Sequence, residues 1–171
     1  MKYVAIDPSG SFNEGSGHTG ITFIKDWDWD TLMTCSISAN KFNDRHLYWD
    51  ALIRQVTCTN PDVVIIESFV VRANGFLVGK MPETLLFIGA LIWELEQLNI
   101  KYVFQSPSQA KTRFKDEYLG KYIPNYEIKE ISGKKYYYLN GNRINDHTRD
   151  SLKHLLYYKR YNLKDEELEV K

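Results

Sequence analysis

Cysteine is scarce: Cys35 and Cys58 are the only two in 171 residues, and they form neither a CxxC pair nor a longer framework. That argues against a disulfide-stapled secreted scaffold and a structural zinc site, and predicts a reducing compartment. An excess of one charge is also missing, since 22 basic side chains balance 22 acidic ones. With no global positive field to draw in nucleic acid, any such site has to be local. No window reaches the roughly 18 apolar residues of a membrane span, and Met1 to Asp7 holds no long apolar run. A soluble, cytoplasmic protein is expected. Repeats and low-complexity linkers are absent, and the length suits one sizeable core better than two marginal ones. We therefore expect one domain over residues 1–161 and a solvated, charged tail over 162–171. Tyrosine and phenylalanine are plentiful, but they fill cores more often than they stack on bases.

The apolar pattern predicts an α/β chain. Tyr3 to Asp7 reads as a strand broken by Pro8-Ser9-Gly10, and Ser9 to Gly20 reads as a loop, with extended structure resuming at Ile21 to Ile24. Trp27 to Asp30 reads as a polar connection before a third extended segment, residues 32–38. Leu47, Trp49, Leu52, Ile53 and Val56 recur at helical intervals within residues 43–58. Val63 to Glu67 is a short continuous apolar run, as in a strand covered on both faces, and it ends in a carboxylate. Phe69 to Met81 reads as a loop or interrupted helix. Pro82-Glu83 opens an apolar helix to about Leu98, then Lys101 to Gln105 forms a strand and Ser106-Pro107-Ser108 turns into a basic helix carrying Lys111, Arg113 and Lys115. Residues 126–131 and 135–139 pattern as two strands around Ser132-Gly133-Lys134, with no assigned place in a sheet. The strand-helix-strand order implies parallel pairing with right-handed crossovers.

Near the end, Asn145 or Asp146 suits an N-cap, and Leu152, Leu155 and Leu156 follow at helical spacing. A final helix over about 146–161 puts His147 and Asp150, three apart, and Asp146 and Asp150, four apart, on one side. Acids in a first turn also serve caps and the helix dipole, so the cluster needs partners from elsewhere. Asp7 and Glu67 supply them, because parallel strands bring their carboxyl ends to one edge, where ligands bind in open α/β sheets. Taken singly, each has a plain alternative: a turn former before proline for Asp7, a strand end meeting water for Glu67. Oxygen ligands from several elements suit Mg2+, with Mn2+ as substitute. Two such ions about 4 Å apart activate a water and stabilise the leaving oxygen in phosphodiester hydrolysis.

Four segments in order, Ala5-Ile6-Asp7-Pro8 with Thr19-Gly20, Ile65-Ile66-Glu67, Ser106 to Lys111, and His147 to Ser151, resemble the RuvC-like Holliday-junction resolvases, over residues 3 to about 158. The resemblance implies an RNase H-like fold with a mixed five-stranded sheet flanked by helices, a homodimer, two divalent cations per site, no organic cofactor, and paired nicks in four-way DNA junctions within a bacterial or phage-infected cell. By position it implies Asp7, Glu67 and Asp150 as metal ligands, and His147 in the place the family fills with Asp or His, with Asp146 as competitor. It implies Lys111 beside the scissile phosphate. Arg113 and Lys115 share the basic run of Lys111, whose plain alternative is a solvated helix face, and Arg72, Lys80, Arg149 and Lys153 are candidate phosphate contacts on charge alone. Phe87, Ile88, Leu91 and Ile92 are the candidate dimer patch. Glu14 and His18 lie near Asp7 in sequence only.

The chain departs from the family pattern in its long Asp7 to Thr19 loop, in Ser9 where a glycine is usual, in Val70 where an aromatic is usual after the glutamate, and in lacking a lysine-bearing glycine-rich stretch after Lys111. These departures suggest a divergent, phage-type member. Rival readings are a nuclease of this fold acting on forks, flaps or RNA, a non-catalytic junction-binding module, and an actin-like ATPase, for which the chain is too short.

Overall fold

A computed structural model describes residues 1–12, 17–69 and 83–164. Glu14, Arg72, Lys80 and residues 165–171 of the expected tail lie outside the described residues. Strands β1 (Lys2–Asp7), β2 (His18–Lys25), β3 (Asp28–Ser38), β4 (Val63–Glu67) and β5 (Lys101–Gln105) form one sheet in the order β3-β2-β1-β4-β5. β1, β4 and β5 run parallel, while β2 and β3 extend the sheet as antiparallel hairpin strands. The helices are α1 (Arg45–Thr57), α2 (Glu83–Gln97), α3 (Pro107–Arg113) and α4 (Asp146–Tyr157), the last continuing into a π-helical turn to Asn162.

The two-residue period of a strand sorts the core into two layers. Val4, Ile6, Val64 and Ile66 face one side, packing on Tyr48, Leu52 and Val56 of α1 and Phe87, Leu91 and Leu95 of α2. Tyr3, Ala5, Val63 and Ile65 face the other, against Leu152, Leu155 and Leu156 of α4. Asp7 and Glu67 continue the second series. Alternation alone therefore turns both carboxylates towards α4.

Residues 126–144 form a second sheet of three antiparallel strands, β6 (Tyr126–Ile131), β7 (Lys134–Leu139) and β8 (Asn142–Ile144). Its hairpins turn on Ser132-Gly133 and Asn140-Gly141, all four at φ between 49° and 76°. Such turns match the strand twist, and glycine takes this backbone without a Cβ penalty. Tyr126, Leu139 and Ile144 join the α4-side core.

Several expectations need correction. β2 starts at His18, inside the expected loop, and β3 starts at Asp28, because half-buried Trp29 and Thr31 alternate with exposed Asp28 and Asp30 along an edge strand. The basic helix stops at Arg113, leaving Lys115 beyond it. The expected dimer patch is wrong: Phe87, Ile88 and Leu91 are buried under α2, and the apolar side chains α2 leaves exposed include Leu86 and Trp93. α2 has more apolar positions than one sheet face can cover, so the sequence did not reveal which stripe faced inward.

Candidate metal centre

The segment that follows Asp7 is fastened to β2 and to α1. The Ser9 amide donates to Thr19 Oγ1 at 3.0 Å, Tyr48 donates to the Ser9 carbonyl at 2.7 Å, and Trp49 Nε1 donates to the Gly10 carbonyl at 3.0 Å. These bonds hold the carboxyl end of β1 from both sides. Gly20 is the register partner of Asp7 on β2. A Cβ there would lie 2.1 Å from the His147 carbonyl oxygen, so only glycine lets the first turn of α4 settle onto the sheet. That turn is capped by Asn145, whose Oδ1 accepts from the Thr148 amide and hydroxyl, both at 2.9 Å. The Asn145 amide nitrogen donates to Ser36 Oγ at 2.8 Å, tying the cap to β3. Thr22 and Ser151 hydroxyls, 2.6 Å apart, add a buried polar link between β2 and α4.

Those constraints bring Asp7, Glu67 and Asp150 together, with one carboxylate oxygen of each within 4.8 Å of the others. Asp7 and Glu67 are buried and Asp150 is half-buried. Lys111 reaches in from α3, its Nζ 3.0 Å from Glu67 Oε1 and 2.8 Å from Asp150 Oδ2. The helix carrying it starts with a capping box, Ser106 with Gln109, and Pro107 in its first turn. His147 Nδ1 lies 2.8 Å from Asp7 Oδ2, and its ring stacks on His18 with centroids 6.1 Å apart. Asp146 points away, largely exposed and bonded to Arg149 at 2.8 Å.

The carboxylates are not electrostatically alike. Burial raises the Asp7 carboxyl above its usual value, the His147 bond opposes this, and Glu67 adds to the rise. Burial pushes Glu67 the same way, but His154 and Lys111 outweigh it and hold the group below its usual range. Asp150 is likewise lowered, burial being overcome by Lys111 and Lys153. His147 is raised, chiefly by its bond to Asp7. Lys111 is raised despite burial, by Asp150 and Glu67, and stays charged. Three oxygen donors from two strand ends and a helix, with no thiol among them, fit a hard divalent cation such as Mg2+ or Mn2+.

The other candidates divide. Arg113 and Lys115 are exposed. Arg149 and Lys153, read from charge as phosphate contacts, are instead buried and paired: Arg149 with Asp116 at 3.1 Å and Asp146 at 2.8 Å, Lys153 with Asp116 at 2.6 Å and Asp150 at 2.8 Å. They lie on the inward side of α4, where an unpaired charge would be costly. Nothing in the local sequence marks Asp116 as the partner of these cations, and the signal for His154 is its i, i+4 spacing from Asp150.

No protein-family model matches the chain, and no curated protein matches it. Among solved structures, Thermus thermophilus RuvC in complex with a Holliday junction substrate superposes with a TM-score of 0.64 at 14% identity, covering 96% of each chain. A second Thermus thermophilus RuvC structure gives 0.58 at 16% identity over 95% of this chain and 97% of that one. Over nearly its whole length, then, this chain has the RNase H-like α/β fold of RuvC, a mixed five-stranded sheet with flanking helices.

Proposed function

We propose that this protein is a metal-dependent endonuclease that hydrolyses phosphodiesters in branched DNA, resolving four-way junctions by paired nicks as a homodimer in the cytoplasm of a bacterial or phage-infected cell. The observation that carries the reading is the convergence of Asp7, Glu67 and Asp150 at the carboxyl edge of the sheet. The cations, held by these three and by His147 through its place beside Asp7, supply water activation and leaving-group stabilisation when bound. Mg2+ is the expected ion, two per site, with Mn2+ able to substitute.

The chain's own side chains have separable parts. Glu67 and Asp150, held below their usual pKa range, are ionised at neutral pH and offer full negative charge. Lys111, anchored between them, is a positive charge beside the reacting phosphate, where it favours charge building on the phosphoryl oxygens. Exposed Arg113 and Lys115 follow along the same segment and position a duplex arm through its phosphates, a duty also proposed for Arg72 and Lys80. Junction preference arises from branch shape and from the spacing of two active sites in a dimer. The α2 stripe carrying exposed Leu86 and Trp93 is the surface proposed to pair with its own copy. A monomer in sedimentation at micromolar concentration would remove that pairing.

Cleavage of a synthetic four-way junction, a fork and a linear duplex in Mg2+ tests the reading. Paired nicks favouring the junction are expected, with cleavage lost and binding kept in Asp7→Asn and Asp150→Asn. Preference for the fork would move the substrate within the same fold. Full junction binding without cleavage in either Mg2+ or Mn2+ would make the chain a binding module.

A further inference from the structure

The carboxylate centre rests on a buried imidazole for which neither cation nor phosphate contact gives a use. His154 sits one helical turn beyond Asp150 on α4, fully buried, flanked in sequence by core residues Leu152, Leu155 and Leu156. Its Nε2 is 2.8 Å from Glu67 Oε2 and its Nδ1 is 2.9 Å from Gln105 Oε1. Glu67 and Gln105 are register partners on β4 and β5, so the ring bridges two neighbouring strand ends from the helix above. A polar ring in such a place costs stability unless both nitrogens are bonded, and leucine would fill the space more cheaply. The histidine is therefore better explained by what it holds than by packing.

The two oxygens of Glu67 are held differently. Oε2 is bonded to the buried imidazole, whereas Oε1 meets the Lys111 ammonium on a side chain about one-third exposed. The carboxylate can only accept, so Nε2 carries the proton in that bond. On the far side of the ring, Nδ1 meets the Gln105 side-chain amide at 2.9 Å, so the imidazole is held at both nitrogens and its plane is fixed.

We propose that His154 is a positioning residue, oriented by Gln105, which pins Oε2 of Glu67 inward so that Oε1 is the oxygen presented to the cation. The inference rests on the metal-dependent reading above. Hydrogen bonds that hold a ligating carboxylate commonly set metal affinity by about 10- to 100-fold.

Mn2+ titration calorimetry on the DNA-free protein tests it, alongside cleavage measured against Mg2+ concentration and thermal unfolding of each variant. His154→Leu removes the donor and keeps the bulk. It is expected to weaken Mn2+ binding about 10- to 100-fold and to raise the half-saturating Mg2+ concentration by the same factor, with the rate at saturating Mg2+ within about threefold of the parent. His154→Gln, whose amide nitrogen reaches the place of Nε2, is expected to recover most of that affinity. A gain for Gln over Leu separates orientation from packing, which both variants disturb. Should the leucine variant fail to fold, Gln105→Leu takes its place, with an expected loss of at least threefold. Unchanged Mn2+ affinity in His154→Leu or its substitute Gln105→Leu overturns the inference, as does a folded His154→Gln binding no better than a folded His154→Leu. If the parent protein itself binds no Mn2+, the metal-dependent reading falls first and this inference with it.

Discussion

The two sheets solve the problem of holding a side chain in place in opposite ways. In the five-stranded sheet, β1 and β4 are buried over almost their whole length, layers on both faces hold them, and their polar groups gather at the ends. In the three-stranded sheet, β6 is exposed from Glu127 onwards, and local pairs decorate the surface: Lys129 lies 4.7 Å from the Tyr138 ring and Arg143 4.3 Å from Tyr136. Its inner edge is anchored by Tyr126, Leu139 and Ile144 in the α4-side core and by Arg149 of α4, set 3.9 Å over Tyr137. A catalytic centre needs the first kind of support, because a ligand displaced by about an ångström loses most of its effect. The small sheet relies on hairpin turns for register and tolerates surface change.

That contrast can be broken at several points. The largest expected effect is at the carboxylate centre: Asp7→Asn or Asp150→Asn should lower junction cleavage by about three decades or more, since cation-assisted catalysis is worth several kcal/mol, while binding stays within about threefold. Asp7→Asn should also unfold at a higher temperature than the parent at pH 7 without metal. Burial raises the Asp7 pKa, so its ionised form destabilises the fold. A lower melting temperature would contradict the burial argument. Gly20→Ala forces a Cβ against the His147 carbonyl and should cost about 3 kcal/mol in urea unfolding.

Acid offers a third probe. Glu67 and Asp150 have folded pKa values below their ordinary 4.5 and 3.8, so they stabilise the fold above those values. The contribution drains as pH falls through and below that range. Asp7, shifted upward, protonates earlier and works the other way. Melting temperature should therefore fall below about pH 4.5, and fall less in Asp150→Asn.

The smallest effects belong to the three-stranded sheet. Gly141→Ala, at φ +76°, should cost about 1 to 2 kcal/mol through backbone strain alone. Lys129→Ala should change stability by less than about 0.5 kcal/mol, since both the lysine and its partner Glu127 are half-exposed. A larger loss there would mean that the small sheet is less self-sufficient than its turns suggest.

The sequence showed most clearly what repeats along the chain. The apolar runs of β4 and β5 give their observed bounds, parallel strand ends bring Asp7 and Glu67 together as expected, and the family resemblance adds Asp150 and Lys111 to the same place. Spatial pairings were harder to see. Arg149 and Lys153 look like any basic helix face until the fold shows them turned inward onto Asp116. β8 is three residues long and was hidden, although Asn140-Gly141 is a strong hairpin signal. The buried stripe of α2 was indistinct because nearly every face of it is apolar.

The odd-numbered phase shared by Asp7 and Glu67 has a stringent consequence. One uncharged residue inserted within β1 would leave the net charge and every acidic group of this protein intact, yet rotate the first carboxylate onto the α1 side of the sheet. The centre is thus encoded as much in the count of residues before it as in the residues themselves, and a frame of one position separates a cluster of carboxylates from an acid buried among leucines.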